Sequence, residues 1–296
     1  MERRDFLRFS AGLALSGISL VEFACKQTGS SQTTSKSSGS KKLKSIGLQL
    51  YTVRSLMKDD FEGTIAQVAQ LGYKEVEFAG YYERKPSEVR KLLDGLGLSA
   101  PAAHIGLETL QENLDEVIET SATIGHKYII CPWLPENQRN TEGYKALADF
   151  FNTVGEACKK AGLRFAYHNH AFEFETKEGQ VPYDILLNET DPELLDMEID
   201  LFWIRKAGRD PLTYFANYPG RFKLCHVKDM TSSGDMTSVG KGVIDFAGIF
   251  AKSEQAGLDH FFVEHDRPDD PIESISASIE HLKNLSFFAD GADKGD

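Results

Sequence analysis

Short apolar runs recur along this chain, and eight of them stop at polar or aromatic side chains. The run ends read Gln49-Leu50-Tyr51, Glu77, His104, Cys131-Pro132-Trp133, His168-Asn169-His170, Asp200, His226 and Glu264. Runs this short, bounded by turn residues, read as buried strands. They predict strands over residues 46–51, 74–78, 99–104, 128–131, 163–168, 195–200, 222–227 and 260–264. Between them the apolar positions fall at helical spacing, as in Phe61, Ile65, Val68 and Leu71. This periodicity predicts helices over 61–71, 86–96, 107–124, 141–161, 183–189, 210–218, 245–255 and 271–285. Gly72, Gly97, Gly162 and Gly257 each close a helix and feed the next strand. Strand-then-helix repeated eight times predicts a (β/α)8 TIM barrel, an α/β fold whose strand C-termini all open on one face.

Residues 1–43 lie outside this period. Arg3-Arg4, followed by a weakly apolar stretch over 13–21, resembles a twin-arginine (Tat) export signal and is too short to span a membrane. The signal is assigned to 1–25. Ala24-Cys25 marks a lipoprotein processing site, with Glu22 standing where an aliphatic residue is usual, so a lipid anchor at Cys25 stays open. The Ser/Thr/Lys/Gly-rich tract that follows reads as a flexible linker over 26–43, leaving the barrel over 44–290. The expected location is outside the cytoplasm, periplasmic or membrane-anchored.

The formal net charge of −12 argues against a nucleic-acid partner, because phosphate neutralisation needs clustered Lys and Arg. No G-x-G-x-x-G follows the first strand, and Gly240-Lys241-Gly242 lacks the spacing of a phosphate loop. Cys131, Cys158 and Cys225 show no disulfide or zinc-knuckle spacing and read as small buried hydrophobes.

Candidate chemistry concentrates in the last four strands. Side chains alternate faces along a strand, so Glu198 and Asp200 point the same way, with Asp200 nearer the mouth. By the same rule His168 and His170 share a face. Consecutive strands thus aim His168 (or His170), Asp200, His226 and Glu264 at one spot. Two imidazoles and two carboxylates suit a divalent ion such as Mn, Zn, Fe or Co, with Mg also open, more than Ca.

These residues carry a resemblance. Residues 46–51 (IGLQLY), 166–170 (AYHNH) with 172–174 (FEF), 197–200 (MEID), 226–229 (HVKD) and 240–246 (GKGVIDF) resemble the sugar phosphate isomerase/epimerase family of xylose isomerase-like barrels. That group includes inosose dehydratases, ketose 3-epimerases and hydroxypyruvate isomerases. The likeness covers about residues 43–285. It implies one divalent ion held by Glu, Asp, His and Glu on strands five to eight. The last three match Asp200, His226 and Glu264. The strand-five Glu is missing, with His168 or His170 near its place. In the epimerases the two metal-bound glutamates also move protons on opposite faces of the substrate. A two-base epimerisation here would need Glu173 or a histidine in the second role.

Around this centre, Lys228 shares a face with His226 and can stabilise an enolate oxygen or simply sit in a solvated loop. Glu264 is the first candidate base, with His170 or Glu173 opposite. His104 can bind a hydroxyl or shuttle protons. Gln49 and Glu77 can hold substrate hydroxyls or lie in the inner barrel layer. Trp133 and Trp203 can wall a sugar ring or merely pack. The expected function is an exported, metal-dependent isomerase or epimerase working through an enediolate on a small carbohydrate. The alternatives are a lyase or dehydratase, such as a 3-keto-glycoside eliminase or an inosose dehydratase-like enzyme, and a sugar-binding barrel without chemistry.

Overall fold

The computed structural model describes residues 40–288. The expected export signal, Cys25 and most of the expected linker lie outside the described residues. The described residues begin before the expected boundary. Lys41 pairs backbone-to-backbone with Phe287, and Leu43 packs on the core, so residues 40–43 are not linker.

Eight strands close a parallel barrel: β1 (Gly47–Gln49), β2 (Glu75–Phe78), β3 (Ser99–His104), β4 (Tyr128–Cys131), β5 (Arg164–His168), β6 (Leu195–Asp200), β7 (Phe222–Val227) and β8 (His260–Val263). Neighbours pair in sequence order, and β1 closes on β8. Every barrel strand is nearly continuously buried because helices cover the outside. Inside, the lumen narrows onto a small apolar plug of Ala102, Tyr128, Ile130, Ala166, Leu224 and Phe262. Phe262 fits because β1 carries glycine opposite it. A Cβ on Gly47 would stand 2.4 Å from the Phe262 ring.

Several elements are shorter than their periodicity predicts. The first strand ends at Gln49, whose side-chain oxygen accepts from the Tyr51 amide and turns Leu50–Val53 into a 3-10 turn. The helix expected over 107–124 breaks at Asn113 into Leu107–Glu112 and Leu114–Ile124. That over 245–255 splits into Phe246–Phe250 and Ser253–Ala256. β5 stops at His168, so alternation does not extend to His170, which lies two residues into the following loop.

A short antiparallel pair, Asp229–Met230 with Met236–Thr237, follows β7 and was not expected. Its base is held by Asp229, whose carboxylate accepts from the amides of Met230, Gly240, Gly242 and Ile244. Cys131, Cys158 and Cys225 are free and buried. Among the described residues, no helix is long and apolar enough to cross a membrane.

Candidate active site and metal centre

Strand register puts the functional side chains in layers. Asp200 on β6 is level with His226 on β7, and Glu198 is level with His168 on β5. Glu264 follows directly after β8. As a result His168, Asp200, His226 and Glu264 each offer one ligand atom, all within 4.8 Å of one another. All four are buried. Of the two strand-five histidines it is His168 that joins this group. His170 stands beside it, edge-on at 5.0 Å between ring centroids.

The hydrogen bonds around the quartet leave the right lone pairs free. His168 Nδ1 lies 3.1 Å from the Pro132 carbonyl, which can only accept, so Nδ1 carries the proton and Nε2 is left to face Asp200 Oδ2 at 3.2 Å. His226 Nε2 sits 2.6 Å from Glu77 Oε2. Its buried Nδ1 has no hydrogen-bond partner in bonding geometry, although Glu264 Oε2 is 2.7 Å away. Asp200 has divided duties. Oδ1 caps the helix Leu201–Lys206 by accepting from the Trp203 amide, and its own amide donates to Asn169 Oδ1. That fixes Oδ2 toward the quartet. An orphaned imidazole nitrogen, a second imidazole with its free nitrogen inward and two carboxylates fit a divalent ion of the Zn, Mn, Fe or Co type.

A cation is built into the same place. Lys228 is buried, with Nζ 2.9 Å from Asp200 Oδ2, 2.7 Å from Glu264 Oε2 and 2.8 Å from Asp266 Oδ1. Burial disfavours its charge, but the three carboxylates outweigh it and hold the ammonium well above its ordinary range. Burial works on Glu264 in the opposite direction, and Lys228 and His226 overcome it, keeping the carboxylate ionised far below its usual range. His226 is likewise raised, against burial, by Glu198, Glu264 and Glu77. A proton and a divalent ion therefore compete for its Nδ1. Burial, then His168 and Lys228, keep His170 neutral.

The mouth opens into a cavity of about 540 Å³ lined by Tyr51, His104, Trp133, His168, His170, Lys228, Glu264, Asp266 and Arg267 among others. Trp133 is half exposed on its rim, with the Arg139 guanidinium 4.7 Å from its ring. Arg139 also covers Phe172 at 3.6 Å, and Phe172 stacks on His170. Trp203 lies behind His170, at 5.3 Å between ring centroids, and is not among the lining residues.

Gln49 and Glu77 are fully buried beneath the mouth and bonded to each other at 2.6 Å, in the inner-layer position left open above. Glu173 is fully buried too, its two oxygens accepting from the Tyr167 hydroxyl and the His170 amide. Both are occupied in shaping the loop that carries His170, which leaves no oxygen for the second-base role. Sequence reasoning gave Glu198 no role, although its place two residues before Asp200 was a usable signal. Asp266 and Arg267 lie past the end of β8, where periodicity offers no signal.

Residues 65–285 match the model of the xylose isomerase-like TIM barrel. The chain belongs to that family. An inosose dehydratase of Geobacillus kaustophilus is 27% identical over 230 residues, covering 64% of this chain and 74% of its own length. A sugar phosphate isomerase/epimerase from Parabacteroides distasonis superposes with a TM-score of 0.72 at 25% identity, covering 81% of this chain and 98% of that one. The IolI protein, solved with a bound zinc atom, shares the fold at 15% identity and a TM-score of 0.68, covering 81% and 97%. The relatives are thus isomerase/epimerase and dehydratase barrels, and this chain has the candidate metal group of such a site.

Proposed function

We propose that this protein is a metal-dependent carbon–oxygen lyase that removes water, or another β-leaving group, from a keto sugar or keto-polyol. The observation that carries this is the absence of a carboxylate at the strand-five position. Strand five ends in His168 where a second carboxylate base would stand, and both oxygens of Glu173 are engaged. Epimerisation through opposed carboxylates lacks its second partner. Elimination needs one group that takes a proton and gives it back.

When bound by His168, Asp200, His226 and Glu264, a divalent ion would supply Lewis-acid polarisation of the substrate carbonyl. The chain supplies the rest. Glu264, pinned between Lys228 and His226, stays ionised and is a weak base. His170 is neutral, lines the cavity and is the better proton acceptor. It takes the proton next to the carbonyl. The Lys228 ammonium, already fixed, steadies the negative charge that develops on oxygen. The imidazolium then returns its proton to the departing hydroxyl, so the C–H and C–O bonds break and water leaves.

An isomerase or epimerase using the same first half-reaction is the second reading, supported by the likeness to the Parabacteroides barrel. Incubation in D₂O with a panel of keto-polyols, free ketoses and 3-keto-glycosides, followed by NMR, separates the two. Loss of water or aglycone with an enone product supports the lyase. Deuterium incorporation with epimers or carbonyl-shifted isomers and no elimination overturns it. We further propose that the enzyme works outside the cytoplasm, on the strength of Arg3-Arg4 and the tract behind them.

A further inference from the structure

Below the mouth lies a second group of ligand-bearing side chains, of which the chemistry above uses only His226. Glu77, His104, Glu198 and His226 also bring one ligand atom each within 4.8 Å of one another. Glu77, Glu198 and His226 are fully buried, and the His104 side chain is 10% exposed. The apolar plug adjoins it: Leu224 lies two residues before His226 on β7, and Phe262 of β8 is level with His226.

The contacts form a ring. His226 Nε2 lies 2.6 Å from Glu77 Oε2 and 3.3 Å from Glu198 Oε2. His104 Nε2 lies 2.8 Å from Glu198 Oε2 and 3.4 Å from Glu77 Oε2. Four ligand atoms around a tetrahedral ion at ~2.0–2.1 Å would be ~3.3 Å apart. Two of these contacts already have that length, and the other two need to open by well under an ångström.

Two further observations point to a cation. Glu77 Oε1 and Glu198 Oε1 are buried without any hydrogen-bond partner, an exceptional state for two carboxylates in one site. No lysine or arginine pairs with either among the described residues, since Lys228 serves Asp200, Glu264 and Asp266. Two buried carboxylates so close together need compensating positive charge, and within the group only the His104 and His226 rings stand beside them.

We propose that Glu77, His104, Glu198 and His226 form a second divalent-metal site, and that the His226 imidazole bridges it to the mouth site. Nε2 faces the deep ion and Nδ1 the mouth quartet. Filling both requires each ring nitrogen of His226 to be free of a proton, so every N–H proton on that ring, and any on the ligating nitrogen of His104, passes to solvent. The donor set, two carboxylate oxygens and two imidazole nitrogens, selects Zn²⁺, Co²⁺, Fe²⁺ or Mn²⁺. The two sites share only His226, so each can stand or fall without the other.

The test counts ions. The full chain, stripped by chelator, is titrated with Co²⁺ while its visible absorption is followed, and Zn²⁺-loaded protein is assayed by elemental analysis after dialysis. Two equivalents are expected for the wild type, and one each for Glu198→Gln and Asp200→Asn. One wild-type ion that Asp200→Asn loses and Glu198→Gln keeps would overturn the deep site and leave the mouth reading intact. One ion that Glu198→Gln loses and Asp200→Asn keeps would do the reverse. Two ions persisting in Glu198→Gln would also refute the deep site. Anomalous diffraction from Zn²⁺-loaded wild-type crystals needs no variant, and must show a peak on each side of His226.

Discussion

Lys228 Nζ and Glu264 Oε2 are 2.7 Å apart at the bottom of the mouth, so a fixed cation shares the carboxylate that would also hold a metal ion. In the proposed mechanism the lysine would both support oxyanion charge and compete with the metal. Lys228→Met removes both effects. Turnover should fall by ~10²–10³, as for loss of a pre-placed charge that acts in the transition state. Affinity for Zn²⁺ should rise, because Asp200, Glu264 and Asp266 lose their competing partner. The metal-free variant should lose ~3–5 kcal/mol of stability from the carboxylates left buried and unpaired. Zn²⁺ titration and thermal melts with and without metal check these outcomes. An unchanged turnover on an identified substrate would remove Lys228 from the chemistry.

Glu173 is a positioning residue. In Glu173→Gln the amide NH₂ must meet either the Tyr167 hydroxyl or the His170 N–H, and the backbone donor cannot turn away. A stability loss of ~1–3 kcal/mol is expected. The kcat should drop with KM little changed, because the loop presenting His170 shifts. Burial raises Glu173 to about 7, opposed by its bonds to Tyr167 and His170. Retention of full kcat in Glu173→Gln would show that this loop needs no such anchor.

Trp133 is exposed on the cavity rim and stacks with Arg139. Trp133→Ala should raise KM roughly tenfold while leaving kcat within about twofold, the mark of binding lost equally from ground and transition states. Steady-state kinetics decide it. A kcat loss exceeding the KM effect would place the indole nearer the reaction than the rim.

His126 supplies a pH test far from the mouth. Its Nδ1–H donates to the Ala100 carbonyl and its Nε2 accepts from the Tyr81 hydroxyl, so the neutral ring is fully satisfied. Burial, aided by Arg90 and opposed by the Ala100 bond, lowers it from 6.5 to about 4. Between those values the unfolded chain binds the extra proton. The contribution is complete above about pH 6.5 and is lost as pH falls toward 4, a total of roughly 3 kcal/mol. Denaturant melts across this window should show His126→Gln with a shallower slope. Equal slopes would mean the ring protonates freely in the fold.

Export is tested at the leader. Changing Arg3→Lys with Arg4→Lys should retain the precursor in the cytoplasm, read by fractionation. Normal export of that double variant would refute the twin-arginine reading. Fatty-acid labelling with and without Cys25→Ala tests the anchor separately.

The chain's periodicity by itself determined the barrel. Strand and helix periods are local properties, set by the alternation of two and the repeat of 3.6 residues, and eight repeats leave few other closed arrangements. It also narrowed the candidate mouth quartet to one open choice, since a residue at a strand end has a direction as soon as its strand is known. Only tertiary structure decided between His168 and His170, because β5 stops at His168 and alternation stops with it. The same holds for Glu77 and Glu198, whose partners come from across the lumen on β3 and β7, up to 149 residues away in the chain. Lys228 gains its meaning from Asp266, on a loop that no periodicity describes. Contacts made through the barrel interior depend on register and closure, which are set by all eight strands together and by no segment alone.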